Sequence, residues 1–253
     1  MGLGMVSLFL SLLVLIPIAA VVDQSLSDGA GNFFDQATTP GALKALRLTV
    51  SASLIVVAIN AVFGTLLAWV LVRDDFRGKS VVNALIDLPF ALPTIVTGVI
   101  LFTLFVSPDS PIGVSVGFGR TAVVLALLFI TLPFVVRAVQ PVLLELDAEA
   151  EEAAASLGAG GFTIFCRVIF PNILPALLAG VALAFARALG EFGSLVLIGI
   201  AADSTVVSVF IRTLIEGDNL TGAAALSVVL LAISLLLLGI VTAIQYWASK
   251  HDR

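Results

Sequence analysis

Long apolar runs separated by short polar stretches organise this chain of 253 residues. A helix needs about 20 apolar residues to cross a bilayer core roughly 30 Å thick. In lipid every backbone group must be satisfied internally, so long uncharged runs mean helices. Six such runs are present, predicting an all-α polytopic membrane protein with six transmembrane helices. The first covers 5–22 and stops before Asp23; the second, 48–72, lies between Arg47 and Arg73. The third, 85–106, contains Asp87, Pro89 and Pro93. The fourth, 121–137, has only sixteen uncharged residues between Arg120 and Arg137, so it is expected to borrow from its flanks. The fifth, 168–200, is interrupted by Arg187 and Glu191, and the sixth covers 223–248. Ile18-Ala19-Ala20 also fits a signal-peptide cleavage site, but no Lys or Arg precedes the first run and it is long enough to span, which favours a membrane helix.

Composition strengthens the membrane reading. Hydrophobic residues make up 60% of the chain and charged ones 11%, with a mean hydropathy of +1.20. A soluble domain carries about 25% charged residues. Twelve Lys and Arg against seventeen Asp and Glu give a net charge of −5, which lacks the basic footprint of a nucleic-acid binder. A single cysteine, Cys166, forms no intramolecular disulfide, and no spaced Cys/His set offers a metal site. With one histidine, His251, a His-based catalytic constellation is not expected, and no catalytic residue is assigned.

Charge in the loops sets the expected orientation. One side carries Arg73, Arg77, Lys79, Arg137, Arg167, Lys250 and Arg253, the other Lys44, Arg47, Arg120 and Arg212. Seven against four places both termini in the cytoplasm. The whole of 1–253 is read as one transmembrane domain, because no exposed segment is long enough for a soluble one. Gly78-Lys79-Ser80 matches only the end of a phosphate-binding loop, with Arg73 where the first glycine belongs, and is read as a polar hairpin. Asn219-Leu220-Thr221 fits a glycosylation pattern too common to carry weight.

The connector 138–167 is long, and loops of this length usually have a task. Its stretch from Asp147 to Leu157 is rich in Ala, Glu and Leu, strong helix formers. Asp147, Glu149, Glu151 and Glu152 crowd the start, where negative charge complements the helix dipole. Gly158 suits the left-handed turn that ends a helix. After Gly160-Gly161, a second short apolar segment begins with Phe162, Ile164, Phe165 and Val168. The pattern reads as helix–turn–helix on the cytoplasmic face, either a surface connector or a docking element for a soluble partner.

Glu152-Ala153-Ala154, three residues, Gly158, nine residues, then Val168-Ile169-Phe170-Pro171 resembles the EAA signature of bacterial ABC importer permeases. The departures are Val168 and Phe170, where the pattern most often shows Ile and Leu. The resemblance implies a type I importer permease fold, whose cytoplasmic EAA loop forms a coupling helix seated on an ATPase subunit. Glu151, Glu152, Ala153, Ala154 and Gly158 are the ATPase-coupling residues it implies. A finer resemblance covers nearly the whole chain. Ile86-Asp87-Leu88-Pro89-Phe90-Ala91-Leu92-Pro93-Thr94, Gln140-Pro141-Val142-Leu143 and Ala186-Arg187-Ala188-Leu189-Gly190-Glu191-Phe192-Gly193-Ser194 look like segments of T-type sulfate/thiosulfate permeases. Molybdate and tungstate permeases share the EAA loop but resemble the first two segments less.

The resemblance implies two ATPase subunits that bind ATP and Mg, so this chain itself carries no cofactor. It further implies a second permease, W-type or another copy, and an extracytoplasmic sulfate-binding protein. The expected location is a bacterial cytoplasmic (inner) membrane. A rival of another class, an ion-coupled secondary transporter, would need no ATPase and would use Glu191 and Asp87 as coupling carboxylates.

Ionisable groups inside a span are costly, at least ~2.5 kcal/mol on insertion scales, unless they face protein or water. Arg187 and Glu191 stand four apart, so on a helix they share one face. They are read either as a structural ion pair or, with Gly190 and Gly193, as part of the translocation path or its gate. Asp87 is expected to cap a membrane helix that starts at Pro89, and Pro89 and Pro93 to kink or break it. In the outer segment 204–219, Phe210, Ile211, Leu214 and Ile215 are spaced for one helical face, though a plain loop fits equally.

Overall fold

Alternation between long apolar stretches and charged breaks produces a bundle in which, among the described residues, all regular structure is helical. The computed structural model describes residues 2–201 and 204–251. Arg253 and the side chain of Lys250, both counted in the charge asymmetry, lie outside what is described.

Helix α1 (Gly2–Leu10) runs through a π-helical turn, Ser11–Leu15, into α2 (Ile16–Leu26), together the first apolar helix. It continues past Asp23, beyond the expected end at 22. The short α3 (Gly29–Ala37) leads to α4 (Pro40–Arg73). Thr39 starts α4 by accepting a hydrogen bond from the Ala42 amide at 3.3 Å, with Pro40 pre-set for the first turn.

The third run is a broken span. Helices α5 (Lys79–Ala91) and α6 (Thr94–Leu101, prolonged by a π-helical turn, Phe102–Val106) meet at 115°. The break falls at Leu92-Pro93, where proline drives the preceding residue into extended backbone. Pro89 sits inside α5 without ending it, so Asp87 lies in the body of that helix rather than at its cap.

Helix α7 (Arg120–Glu145) passes through Arg137 and Pro141, well beyond the expected 121–137. A charge had marked the expected end, but that charge finds a partner on the neighbouring helix. The EAA segment is α8 (Ala148–Ser156). Next, α9 (Gly161–Ile164), a π-helical turn Phe165–Ile169 and α10 (Phe170–Leu189) form one span. The second short segment of the expected loop is therefore the start of the fifth span, and that span ends at Leu189 instead of 200. Beyond it stand the single turn α11 (Leu195–Ile198), α12 (Val207–Glu216) and α13 (Leu220–His251). The outer segment is thus helical in its middle, but it buries Val206, Val207 and Val209, while Ile215 is exposed. Its start is fixed by the Thr49 hydroxyl of α4, which accepts the Val207 amide at 2.8 Å.

Helix α7 forms the centre, with more than half of its most apolar window buried, against none of that of the first helix. Lipid is as apolar as Leu, so such burial is won by close packing and small residues. Asn60 of α4 donates to the Leu128 carbonyl and to Thr131 Oγ1, at 3.2 and 2.9 Å. Gly64 faces Val135, and a Cβ there would lie 2.9 Å from that side chain. Both registers rise together, so α4 and α7 are parallel. Helix α10 runs antiparallel to α7, with Gly180 pressed against Ala138 and the Phe134 carbonyl.

Two buried clusters divide the bundle by depth. One holds Ile86, Val139, Leu143, Ile173 and Phe185, towards the α8 end. The other holds Leu48, Val106, Val123, Leu195 and Ile198, towards the opposite end. The α5–α6 pair contributes Ile86 to the first and Leu101 and Val106 to the second, so it crosses between them despite its bend.

Candidate coupling and translocation site

At one end of the bundle, α8 projects as a short helix rich in Ala and Glu. The Asp147 carboxylate caps it by accepting the Glu149 amide at 2.9 Å. Gly158 closes it at φ +85°, a backbone state that other residues enter only with strain. Glu151 forms an ion pair with Arg73 at the end of α4. The Arg73 guanidinium also lies 5.3 Å from the centre of the Trp69 ring, and Trp69 packs edge-on against Phe165. Helix α8 is thereby tied to α4 and to the root of the fifth span. Its outer face is open: Glu152, Ala153 and Gly158 are exposed, Ala154 is half-buried, and Leu157 and Phe162 are 89% and 83% exposed.

Deeper in the bundle, Arg137 of α7 gathers a polar network on α5. Its Nε and Nη2 donate to both oxygens of Asp87, at 2.8 and 2.7 Å. The remaining donors reach the Asn83 side chain, the Asn83 carbonyl and Gln140. The forked pairing uses the planar geometry that suits Arg to carboxylates. This hub was not expected from the sequence, where Asp87 was read as a cap. The available signal was an Asp and an Arg intruding on consecutive spans, since charges within a membrane pair with one another.

Past the end of α10, residues 190–194 form a tight turn. Gly190 closes the helix, so Glu191 stands beyond it rather than on the same helical face as Arg187. The two still meet, with Glu191 Oε2 2.6 Å from Arg187 Nη1 in a charge contact outside hydrogen-bond geometry. Glu191 Oε1 accepts from the Ser194 amide and hydroxyl at 2.8 and 2.9 Å, and the Ser208 hydroxyl donates to the Glu191 carbonyl at 2.6 Å. The Glu191 side chain is 1% exposed, that of Arg187 31%.

The turn rests on the broken span. A Cβ on Gly193 would collide with Thr94 just after the break, and one on Gly98 would lie 2.8 Å from Ser194 Cα. Arg187, Gly190, Glu191 and Gly193 are brought together, and Gly193 rests against Thr94, the residue after Pro93. Pro89 lies one turn earlier, and the α8 residues form a separate site at the opposite end of the bundle from the basic N-terminus of α4. Among the described residues, no group of three His, Cys, Asp or Glu is placed to share a metal ion.

Comparison with known proteins agrees with this arrangement. Residues 60–250 match the family described as binding-protein-dependent transport system inner membrane component. The sulfate transport system permease protein CysT of Synechocystis sp. strain PCC 6803 is 44% identical over 252 residues, covering 96% of this chain and 88% of that protein. The protein of the same name from Synechococcus elongatus is 46% identical, covering 96% and 91%. Among solved structures, a bacterial ABC transporter involved in import of the acidic polysaccharide alginate superposes with a TM-score of 0.81 at 15% identity, covering 97% of this chain and 93% of that one. A structure of bacterial alginate ABC transporter in complex with alginate pentasaccharide-bound periplasmic protein gives 0.77 at 16% identity, covering 95% and 91%. The bundle thus has the fold of an ABC importer permease, and the chain, a multi-pass membrane protein, belongs to the family of binding-protein-dependent transport system inner membrane components.

Proposed function

We propose that this chain is the transmembrane subunit of an ATP-driven importer that carries sulfate into the cytoplasm. The observation that carries the reading is 44% identity, over 96% of the chain, to a sulfate permease. In this reading the chain is a non-catalytic permease. Two copies of a partner ATPase bind ATP and Mg, a second permease of W-type or another copy of this chain completes the pore, and an extracytoplasmic binding protein delivers the anion. The membrane is the bacterial cytoplasmic membrane, with α8 and both termini on its inner side.

The geometry supports a specific transmission. The open face of α8, with Glu152, Ala153 and Leu157, seats on the ATPase. Motion of α8 passes to α4 through Glu151–Arg73 and to α10 through the continuous helix from Gly161. Helix α7 lies between them and carries α5 through Arg137–Asp87. The break at Leu92-Pro93 then lets α6 take a different angle from α5, while the turn 190–194 rests on α6. The Glu191 carboxylate spends its charge on Arg187 and Ser194, so it acts as a lock that holds the turn rather than as a site for an anion it would repel.

Labelled sulfate and molybdate uptake by a strain deleted for this chain, with and without a plasmid copy, tests the reading. Sulfate entry should disappear and return with the plasmid. Loss of molybdate entry alone would reassign the substrate, and sulfate uptake that needs no ATPase partner would sink the importer mechanism. Glu152→Lys should leave the chain inserted but weaken co-purification of the ATPase.

A further inference from the structure

A concavity of about 950 Å³ opens at the end of α4 and α7 remote from α8, its α4 cations roughly 40 Å along the helix from Arg73 at 1.5 Å per residue. Lys44, Arg47 and Arg120 line it with Ser51, and no Asp or Glu does. Among the described residues none of these three cations makes an ion pair, although the chain has seventeen acidic residues for twelve basic ones. Lys44 and Arg47 stand three apart on one helix, an arrangement that repels. Arg120 begins α7, where the helix dipole also disfavours a cation. These unfavourable placements add into one positive field over the cavity.

We propose that this basic cavity is an anion-receiving site, in which Lys44, Arg47 and Arg120 take the dianion released by the binding protein and hold it before translocation. The inference rests on the importer reading above. A tetrahedral oxyanion is the chemistry the cavity fits: the two Arg offer paired donors to its oxygens and Lys44 a point charge. The space far exceeds one such ion, so the anion keeps part of its water and is held loosely, as a site that must release its ion inward requires. A mouth lined by one sign of charge raises local counter-ion concentration and on-rates by about 10-fold or more. Lys44 and Arg47 precede residue 60, where the family match begins, so two of the three cations lie outside the matched segment.

The test uses the assembled transporter in proteoliposomes with its binding protein, with sulfate as probe. The triple variant K44Q/R47Q/R120Q should lower sulfate uptake per ATP hydrolysed by about 10-fold. The binding-protein concentration for half-maximal ATPase stimulation should stay unchanged. The charge-keeping R47K/R120K variant should retain uptake, which separates lost charge from misfolding. Loss that appears only in vesicles containing phosphatidylglycerol, and not in phosphatidylcholine alone, would assign the site to a lipid phosphate and overturn the proposal. A raised half-maximal binding-protein concentration with uptake per ATP intact would mark a protein-docking surface and overturn it too, as would unchanged uptake. A wild-type transporter that moves molybdate but not sulfate overturns the substrate reading alone, and the same variants read with molybdate then decide the site.

Discussion

The two ends of the parallel α4–α7 pair treat their positive charges in opposite ways. Towards α8, Arg73 is paired with Glu151 and stacked on Trp69, and Arg137 grips both oxygens of Asp87. At the other end, Lys44, Arg47 and Arg120 surround a cavity and pair with nothing in the described chain. Paired cations fasten helices to one another, so the inner end is built to move as a unit with α8. Unpaired cations hold nothing together and remain available to a ligand. The difference assigns the inner charges to mechanical linkage and the outer ones to the anion.

Between these ends, the Arg187–Glu191 pair sets an upper limit for what a charge partner contributes here. Glu191→Ala strips the partner from Arg187 and the acceptor from Ser194 by removing a carboxylate that is only 1% exposed. Breaking a fully buried pair costs about 3–5 kcal/mol, and the loss here falls below that range because the Arg187 left behind is 31% exposed. The variant should therefore lose most of its monodisperse, heat-stable fraction in detergent, measured by fluorescence-detected size exclusion after heating. Stability equal to wild type would mean that the lock is not structural. The next effect in size comes from Gly98→Ala, whose new methyl would press on the Ser194 backbone, which cannot swing aside as a side chain could. Overpacking of this kind costs about 1–3 kcal/mol. Transport should fall with stability, because the same contact joins the broken span to the turn; a fall in neither would detach the turn from the α6 hinge.

Six apolar runs were legible because lipid demands long uncharged helices, and the EAA pattern marked where α8 would lie. What stayed hidden depends on contacts between helices. Arg137 reads as a boundary only until Asp87 is seen beside it, and so α7 continues to Glu145. Residues 190–200 are apolar enough to prolong a span, and hydropathy does not register the Gly190 cap and the Ser194 hydrogen bonds that turn the chain there. In the outer segment, helical spacing pointed to Phe210, Ile211, Leu214 and Ile215; the first three are half-buried, with Phe210 against Gly41, but Ile215 is exposed and the fully buried positions are Val206, Val207 and Val209, beside the capping of Val207 from Thr49. Along the sequence, Lys44, Arg47 and Arg120 read as charges that fix orientation, with Arg47 and Arg120 also bounding apolar runs. Their convergence on one cavity needs the parallel packing of α4 and α7.

A direct measure of the inner end is Arg137→Gln. It removes the forked pair to Asp87 while leaving an amide that can still reach Asn83. Both partners are partly solvated, at 31% and 48% side-chain exposure, so the loss is limited to about 1–2 kcal/mol. Asp87→Asn should cost a similar amount, and the double variant little more than either, because the two act as one linkage. Additive losses would show that each residue has separate partners, and α5 would no longer be tied to α7 by this pair.

The smallest expected effect on stability is the one that separates the two ends most sharply. Removing Lys44, Arg47 and Arg120 together takes away no ion pair and relieves mutual repulsion, so thermal stability should stay within about 0.5 kcal/mol of wild type or rise. Transport should fall in the same protein. At the inner end the signs run together, with stability and transport both lost when Arg137 is replaced. High salt should mimic the outer variant in wild type, since exposed charges are screened over about 8 Å at physiological ionic strength and about 3 Å at 1 M. Uptake by the triple variant should then be nearly insensitive to salt, while wild-type uptake declines. If the outer variant instead unfolds as readily as Arg137→Gln, its cations are structural, the contrast between the ends disappears, and the anion site with it.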